Sequence, residues 1–263
     1  MTTAARKVML QCDLSQAESR VVFALSGDAR LIELARAKPW DYDAHTENAR
    51  VLFRKRDVTK DERQIGKVVS HGAQRGMGGR KLAGSVLKHL GVALTERECD
   101  RFIERYLATY PGIESYFATI RKDVMRHRAL MNTWGRQITW DYDALEDSLY
   151  REAYSWLPQS EVGQLMNEWG FLALDAQLQA GRWPGAAINN LGHDSLLASV
   201  WPRQAYEIAL YLRDSLERPR VYRGCELSIP LEYQLGRNWQ MQTDFKRLPE
   251  RDEFTAAAEA LAA

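Results

Sequence analysis

Residues 7–27 read KVMLQCDLSQAESRVVFALSG, and this stretch decides the fold. Its apolar run over residues 7–12 predicts a buried strand that delivers the carboxylate of Asp13 at its end. A helix is predicted directly afterwards, because Ser15 and Glu18 have the spacing of a capping box and a glycine closes the stretch. The stretch therefore predicts a strand, then a carboxylate, then a capped helix.

The middle of the chain is predicted to be helical, and the remainder is predicted to contain both strands and helices. Residues 31–131 contain several amphipathic stretches broken by proline and glycine, without strand alternation, so this middle block is predicted to be helical. Further on we expect a turn or short strand pair over 133–140, a long helix over 149–179, a hairpin over 186–200, a helix over 202–216 and a strand over 225–235. An alanine-rich tail over 256–263 is set apart from these elements.

The composition excludes a disordered or collagen-like protein. The 263 residues are 45% hydrophobic and 27% charged, which predicts one large or two small globular domains with a real core. The 36 Lys and Arg against 35 Asp and Glu give a net charge of +1, so any electrostatic hold on nucleic acid must be local.

The three cysteines, Cys12, Cys99 and Cys225, are far apart and lack CxxC spacing. They predict neither a disulfide framework nor a zinc site, and hence a reducing compartment such as the cytoplasm. No export signal and no apolar run of about 20 residues is present, so no membrane span is expected.

Two aspartates form the first candidate site. Asp13 and Asp194 each lie at the edge of a strand-like apolar run, far apart along the chain. An aspartate after a strand is commonly a helix N-cap or a turn former, so the spacing by itself leaves a structural role open.

A basic stripe forms the second candidate site. Arg63, Lys67, His71 and Arg75 recur at intervals of four, which places them on one face of a helix. Like charges at this spacing repel by a few tenths of a kcal/mol per pair, and the interspersed glycines each cost about 1 kcal/mol of helix propensity. The stripe is either a solvated basic face or a binding surface for a polyanion.

Taken in order, these segments resemble the polymerase module of family A DNA polymerases. The matching segments are residues 13–20 (DLSQAESR, motif A), 43–46 (DAHT), 63–77 (motif B, with Arg63, Lys67, Gly76 and Met77 in place), 105–117 (RYLATYPGIESYF), 133–137 (TWGRQ), 151–166, 192–195 (GHDS, motif C) and 230–239 (PLEYQLGRNW, the closing strand). The resemblance spans roughly residues 7–240.

The resemblance implies an α+β right-hand polymerase core, with an antiparallel palm sheet and an inserted helical fingers subdomain. Residues 1–40 would form the first part of the palm with motif A, 41–130 the fingers with motif B, and 131–263 the second part of the palm with motif C. Because only 12 residues precede Asp13, we expect the thumb subdomain to be absent from this chain.

The implied activity is template-directed DNA synthesis, the addition of dNTPs to a primer 3′-hydroxyl by two-metal phosphoryl transfer. Two Mg²⁺ ions would be bound by Asp13, Asp194 and the backbone carbonyl of Leu14, since hard cations prefer oxygen ligands. Arg63 and Lys67 would hold the triphosphate of the incoming dNTP. Lys67 would also protonate the departing pyrophosphate, which makes it catalytic beside the two aspartates.

Four further residues have implied contacts with substrate. Glu18 would crowd the sugar 2′ position and so exclude ribonucleotides. His193 would lie beside the primer terminus. Arg151 and Gln159 would lie near the minor groove of the primer–template, where all base pairs offer shared acceptors.

Three positions depart from the family pattern. His71 stands where the family usually has Phe or Tyr, and Arg75 where it usually has Tyr; both keep their place at the dNTP site. Ser195 replaces the usual motif C Glu. Because the lost Tyr normally supports Glu18, we expect Arg75 to pair with Glu18 instead.

Two other functions stay open. A single-subunit RNA polymerase-like enzyme would fit a motif C that reads His-Asp-Ser, although Glu18 argues against it. A non-catalytic polymerase-fold subunit would fit His71 and Arg75. The joint retention of Asp13, Asp194, Arg63 and Lys67 argues against it, since buried aspartates without metal are costly. The expected partners are primer–template DNA, dNTPs and a separate thumb- or exonuclease-bearing subunit.

Overall fold

The structure is a computed structural model that describes residues 6–141 and 146–263. In chain order the elements are β1 (Val8–Leu14), α1 (Ala17–Ser26), α2 (Ala29–Arg36), α3 (Ala44–Phe53), α4 (Lys60–Gln74), α5 (Gly79–Leu90), α6 (Glu96–Thr109), α7 (Gly112–His127), β2 (Ala129–Met131), β3 (Gln137–Thr139), α8 (Asp147–Leu165), a π-helical segment (Met166–Leu172), α9 (Ala173–Gln179), β4 (Ala187–Leu191), β5 (Ser195–Val200), α10 (Pro202–Leu216), β6 (Arg220–Tyr222), β7 (Cys225–Leu227), β8 (Leu231–Gly236), β9 (Met241–Phe245) and α11 (Arg251–Ala262).

A five-stranded antiparallel sheet, in the order β4-β5-β1-β8-β9, lies at the centre of the fold. β1 is the middle strand because it pairs with β5 on one side and β8 on the other. Its side chains alternate, so that Leu10, Cys12 and Leu14 are buried while Asp13 lies half-buried on the opposite face. The strand predicted over 7–12 is confirmed, and it continues to Leu14.

Helices α10 and α11 cover the buried face of the sheet. Phe254 of α11 is fully buried, and its ring lies 5.1 Å from that of Phe245 and 6.2 Å from that of Tyr233. The alanine-rich tail is therefore not separate from the fold. It forms the end of α11, because Phe254 and Ala258 bury one face of that helix.

The single strand predicted over 225–235 is wrong. β7 pairs with β6 in a separate two-stranded sheet, whereas β8 belongs to the central sheet. The break lies at Pro230, which has no N–H to donate to a ladder. Its carbonyl instead accepts a hydrogen bond from Ser15 N (2.9 Å) where β1 ends.

The middle of the chain is helical from α2 to α7, which confirms that prediction except at residues 129–131. These residues form β2 and pair with β3, so the strand pair predicted over 133–140 is present but begins earlier. The central sheet draws its strands from both sides of this helical block, as expected of a palm with inserted fingers. The subdomain boundaries at residues 40 and 130 stay a prediction. No helix in the described ranges is long and apolar enough to cross a membrane.

The capping box predicted at the start of α1 is wrong. α1 begins after Gln16, which has a left-handed backbone (φ 54°), and no side chain caps the helix. Ser15 Oγ instead donates to Glu232 Oε1 (2.9 Å) on β8. Because of this turn, the side chains of Ser15 and Glu18 contact different neighbours and not each other's backbone. At the other end of α1, the predicted glycine stop at Gly27 is confirmed (φ 70°).

The long helix predicted over 149–179 is present, but its middle is π-helical. A π-helical segment leaves backbone groups without their usual partners. Here Ser215 Oγ donates to the carbonyl of Trp169 (2.6 Å) and Tyr211 Oη donates to that of Ala173 (3.0 Å). Both donors lie on α10, so the irregular helix is fixed against the rest of the fold.

Candidate active site

The structure places the two candidate aspartates on neighbouring strands. Asp13 lies near the end of β1, and Asp194 lies in the turn of the β4–β5 hairpin, which confirms the hairpin predicted over 186–200. The backbone N–H of Leu14 donates to the carbonyl of Asp194 (2.8 Å), and Asp13 pairs with Ser195 across the ladder. Asp13 and Asp194, which are far apart in the sequence, thus lie side by side where β1 ends and β5 begins.

A third carboxylate, which the sequence analysis missed, lies on the other side of Asp13. Glu232 of β8 is the cross-strand partner of Asp13, and directly opposed residues share a face of the sheet. Glu232 also lies 3.5 Å from the ammonium of Lys246. Its only sequence signal is its place after Leu231 in the closing strand, which becomes informative once the register is known.

The electrostatics of this edge follow from burial and from the accumulated negative charge. Burial raises the pKa of Asp13 to about 7, with further upward contributions from Asp194 and Glu232, while Lys67 opposes them. In the described residues no group of three or more His, Cys, Asp or Glu side chains is placed to hold a metal ion. The smaller donor set of Asp13, Asp194 and the Leu14 carbonyl consists of hard oxygens, the ligands that Mg²⁺ prefers.

The predicted basic stripe lies on α4. This helix begins with a capping box in which Thr59 and Glu62 bond reciprocally. Its charged residues differ in their surroundings: Arg63 forms an ion pair with Asp43, whereas the Lys67 ammonium is exposed and has no ion pair in residues 6–141 and 146–263. Lys67 is the cation of the stripe that lowers the pKa of Asp13.

Glu18 joins three parts of the site. Arg75 Nη2 donates to Glu18 Oε2, and His193 Nε2 lies 3.4 Å from Glu18 Oε1. Although burial alone would raise the pKa of Glu18, the hydrogen bonds from His193 and Arg75 outweigh it and lower the pKa to about 2. The bond to Glu18 in turn raises the pKa of His193. The expected pairing of Arg75 with Glu18 is present.

His71 faces a second histidine. Its ring centroid lies 5.8 Å from that of His45 on α3. Burial lowers the pKa of His71 to about 4 and that of His45 to about 3, with further lowering by neighbouring cations that include Lys67. Both imidazoles are therefore neutral at pH 7. His45 lies two residues after Asp43, the N-cap residue of α3, a placement that the sequence pattern DAHT signals only indirectly.

The two residues predicted near the primer–template lie on one face of α8. Arg151, Ser155, Gln159 and Gly163 follow one another at intervals of four. At one end of this row, Arg151 and Ser155 line a cleft of about 830 Å³ that also includes Arg75. At the other end, a β-carbon on Gly163 would lie 3.5 Å from Nδ1 of His193. In the described parts of the chain, no contact joins Arg151 or Gln159 to the aspartates.

This arrangement of an antiparallel sheet, adjacent aspartates and a facing cationic helix can be compared with known proteins. The sequence profile described as DNA polymerase family A matches residues 1–241. The chain belongs to this family. The resemblance stated from the motifs is thereby confirmed over most of the chain.

Several curated relatives that the chain matches are much longer than it is. DNA polymerase I of Helicobacter pylori is 26% identical over 228 residues, covering 85% of this chain and 24% of the relative. DNA polymerase I of Pseudomonas aeruginosa is 27% identical over 240 residues, covering 88% and 24% respectively. The thermostable DNA polymerase I of Thermus thermophilus is 25% identical over 235 residues, covering 87% and 26%. The chain thus spans about a quarter of the length of these relatives.

A solved family structure has the same fold. It is the POL domain of Pol1 from M. smegmatis in complex with DNA primer-template and dNTP, with a TM-score of 0.73 and 21% identity, covering 90% of this chain and 41% of that one. The α+β polymerase fold implied by the motifs is confirmed.

Proposed function

We propose that the chain catalyses template-directed DNA synthesis by adding dNTPs to the 3′-hydroxyl of a primer. The observation that supports this most directly is that Asp13 of β1 lies beside Asp194 of the β4–β5 turn, with Asp13 within electrostatic reach of Lys67. Carboxylates suit this reaction because they bind divalent cations, and a nearby lysine suits it because negative charge develops on the oxygens of the phosphates during the transfer. Family membership supports the same activity.

In this proposal Asp13, Asp194 and the Leu14 carbonyl would hold two Mg²⁺ ions. When bound, such ions stabilise the attacking and leaving oxygens of an in-line displacement at phosphorus. Lys67 binds the triphosphate and donates a proton to the departing pyrophosphate. Its exposed ammonium is available for this role because no side chain in the described residues occupies it.

The sugar of the incoming nucleotide is selected by Glu18. A side chain can exclude a 2′-hydroxyl only if it does not move aside, and two hydrogen-bond donors from different elements hold this carboxylate. The motif C turn supplies His193, and Arg75 is the C-cap residue of α4. The row of residues on α8 runs from Arg151 to Gly163, and Gly163 lies next to His193. This placement supports a path for the primer–template along this helix.

The experiment that tests the function is primer extension on a matched primer–template. We expect Mg²⁺-dependent incorporation of dNTPs, loss of activity when EDTA removes the metal, and poor incorporation of rNTPs. Preferential use of rNTPs would favour the RNA polymerase-like function. No incorporation of either nucleotide, by a correctly folded chain with DNA present, would favour the non-catalytic subunit.

Arg75→Ala is expected to weaken discrimination against ribonucleotides about tenfold, because Glu18 loses a charge-assisted hydrogen bond that holds it in place. The measurement is the ratio of dNTP to rNTP incorporation efficiency on one template. Arg75→Lys should retain part of the discrimination, and Arg80→Ala, which removes an exposed arginine from the same cleft, should retain all of it. An unchanged ratio in Arg75→Ala would show that the ion pair does not support the gate.

We also propose that the chain binds DNA weakly and works with a thumb- or exonuclease-bearing partner. The net charge of +1 supports weak binding, since each missing phosphate contact removes a contribution from counterion release. The expected result is short products when primer extension is limited to a single encounter by trap DNA. Long products from the chain alone under the same trap would contradict partner dependence.

A further inference from the structure

Arg63, although it belongs to the basic stripe, is engaged by a carboxylate from another helix. Its Nε lies 2.7 Å from Asp43 Oδ2, and its Nη2 donates to Asp43 Oδ1 at 3.1 Å. This is the two-point geometry by which a guanidinium binds a carboxylate with a fixed orientation. The family resemblance assigns a role to Arg63 but gives none to Asp43.

Asp43 is itself held firmly, because it is the N-cap residue of α3. Its Oδ1 accepts from the backbone N–H of His45 (3.0 Å), and its Oδ2 accepts from Thr46 Oγ1 (2.9 Å). Burial opposes ionisation of this carboxyl, but the bonds from Arg63 and Thr46 prevail and lower its pKa to about 2. At neutral pH Asp43 is therefore an anchored negative charge.

The helix that carries Asp43 is in close contact with the helix that carries the stripe. Gly66 of α4 lies against α3 so closely that a β-carbon there would be 2.9 Å from both Ala49 N and His45 O. A side chain of any size would force the helices apart. The distance from Asp43 to α4 is thus set by backbone packing and not by the ion pair alone.

The ion pair leaves part of the guanidinium available. Of the five N–H groups of an arginine, Asp43 engages one on Nε and one on Nη2, which leaves the Nη1 edge unused by this pair. The Arg63 side chain is 30% exposed, so solvent and ligands can reach it. Lys67 lies one helical turn further along the same face and is exposed.

We propose that Asp43 is a positioning residue that holds the free edge of Arg63 toward the terminal phosphate of a polyphosphate bound by Lys67. The inference rests on the proposed function, since it assigns the triphosphate of a dNTP to this face. In a competing role, Asp43 would block the guanidinium of Arg63, and phosphate would have to displace Asp43 in order to bind there. The two roles predict opposite effects when the negative charge of Asp43 is removed.

The test uses Asp43→Asn in the full chain, because asparagine is as good an N-cap as aspartate but cannot form the ion pair. The probe is inorganic tripolyphosphate, titrated by calorimetry without added metal or DNA. We expect Asp43→Asn to bind it about tenfold more weakly than the unmodified chain, which corresponds to the net strength of a charged hydrogen bond. The matched control is Glu47→Gln, which removes the Glu47–Arg50 pair on the same helix and should leave affinity unchanged.

A second measurement separates positioning from general destabilisation. In an Arg63→Lys background the two-point contact is already lost, so adding Asp43→Asn should weaken binding little further. An equal loss in both backgrounds would overturn the proposal, as would tighter binding by Asp43→Asn or no tripolyphosphate binding by the unmodified chain. Primer extension is measured separately, so a chain that binds tripolyphosphate as expected but incorporates no dNTP would refute the proposed function alone.

Discussion

Asp13→Asn is expected to lower the rate of primer extension by about 10³-fold or more, because metal-assisted phosphoryl transfer loses several kcal/mol of charge stabilisation. The substitution keeps the size and shape of the side chain and removes the charge that a divalent cation needs. The measurement is single-turnover incorporation of one dNTP at saturating Mg²⁺. Asp214→Asn, which alters an exposed carboxylate of α10, is the control and should retain full activity.

The same variant has a second expected effect, on stability. The folded-state pKa of Asp13 is raised from 3.8 to about 7, so its contribution to stability is present below pH 4 and is lost as the pH rises through about 7. Without metal, Asp13→Asn should therefore unfold at a higher temperature than the unmodified chain at pH 8, and this difference should vanish near pH 4. Added Mg²⁺ should stabilise only the unmodified chain. A variant that is less stable at pH 8 would show that Asp13 is compensated by a partner within the protein.

Lys67→Ala is expected to lower the maximal rate of incorporation by about 10²- to 10³-fold, which lies in the lower part of the usual range for a general acid. The loss should exceed the change in KM, because a proton donor acts in the transition state and phosphate binding is shared with Arg63. Measured kcat and KM for one dNTP provide the comparison.

Lys60→Ala is the matched control for this variant, since it removes an exposed lysine from the first turn of the same helix. It should change neither parameter. If Lys67→Ala raises KM with an unchanged kcat, Lys67 binds the nucleotide without taking part in proton transfer.

Much of the fold could be predicted from local patterns. The buried strand before Asp13 and the hairpin around Asp194 follow from apolar runs whose length and punctuation suit strands. The helical block follows from amphipathic spacing between Pro and Gly breaks. The motif order then ties these pieces to one fold and selects Asp13, Lys67 and Glu18 for attention.

The remaining features depend on register and on tertiary contacts, which no local pattern encodes. Glu232 joins the aspartates only because β8 pairs with β1 in one register, and a shift of one residue would turn it to the other face. Asp43 could not be identified as the partner of Arg63, because the ion pair depends on the close packing of α3 against α4 at Gly66, which the sequence does not reveal. The predicted capping box failed for the same reason, since Ser15 and Glu18 found stronger partners across the fold.

The pairing of β1 with β5 and β8 has a consequence for how the protein is made. β1 leaves the ribosome well before either of its partners, because helices α1 to α9 lie between β1 and β5 along the chain, and β8 follows later still. Contacts between such distant segments form slowly, and an unpaired apolar strand is prone to aggregation while it waits. During translation the helices between them can gain structure first, so the two aspartates meet only after synthesis has passed β5.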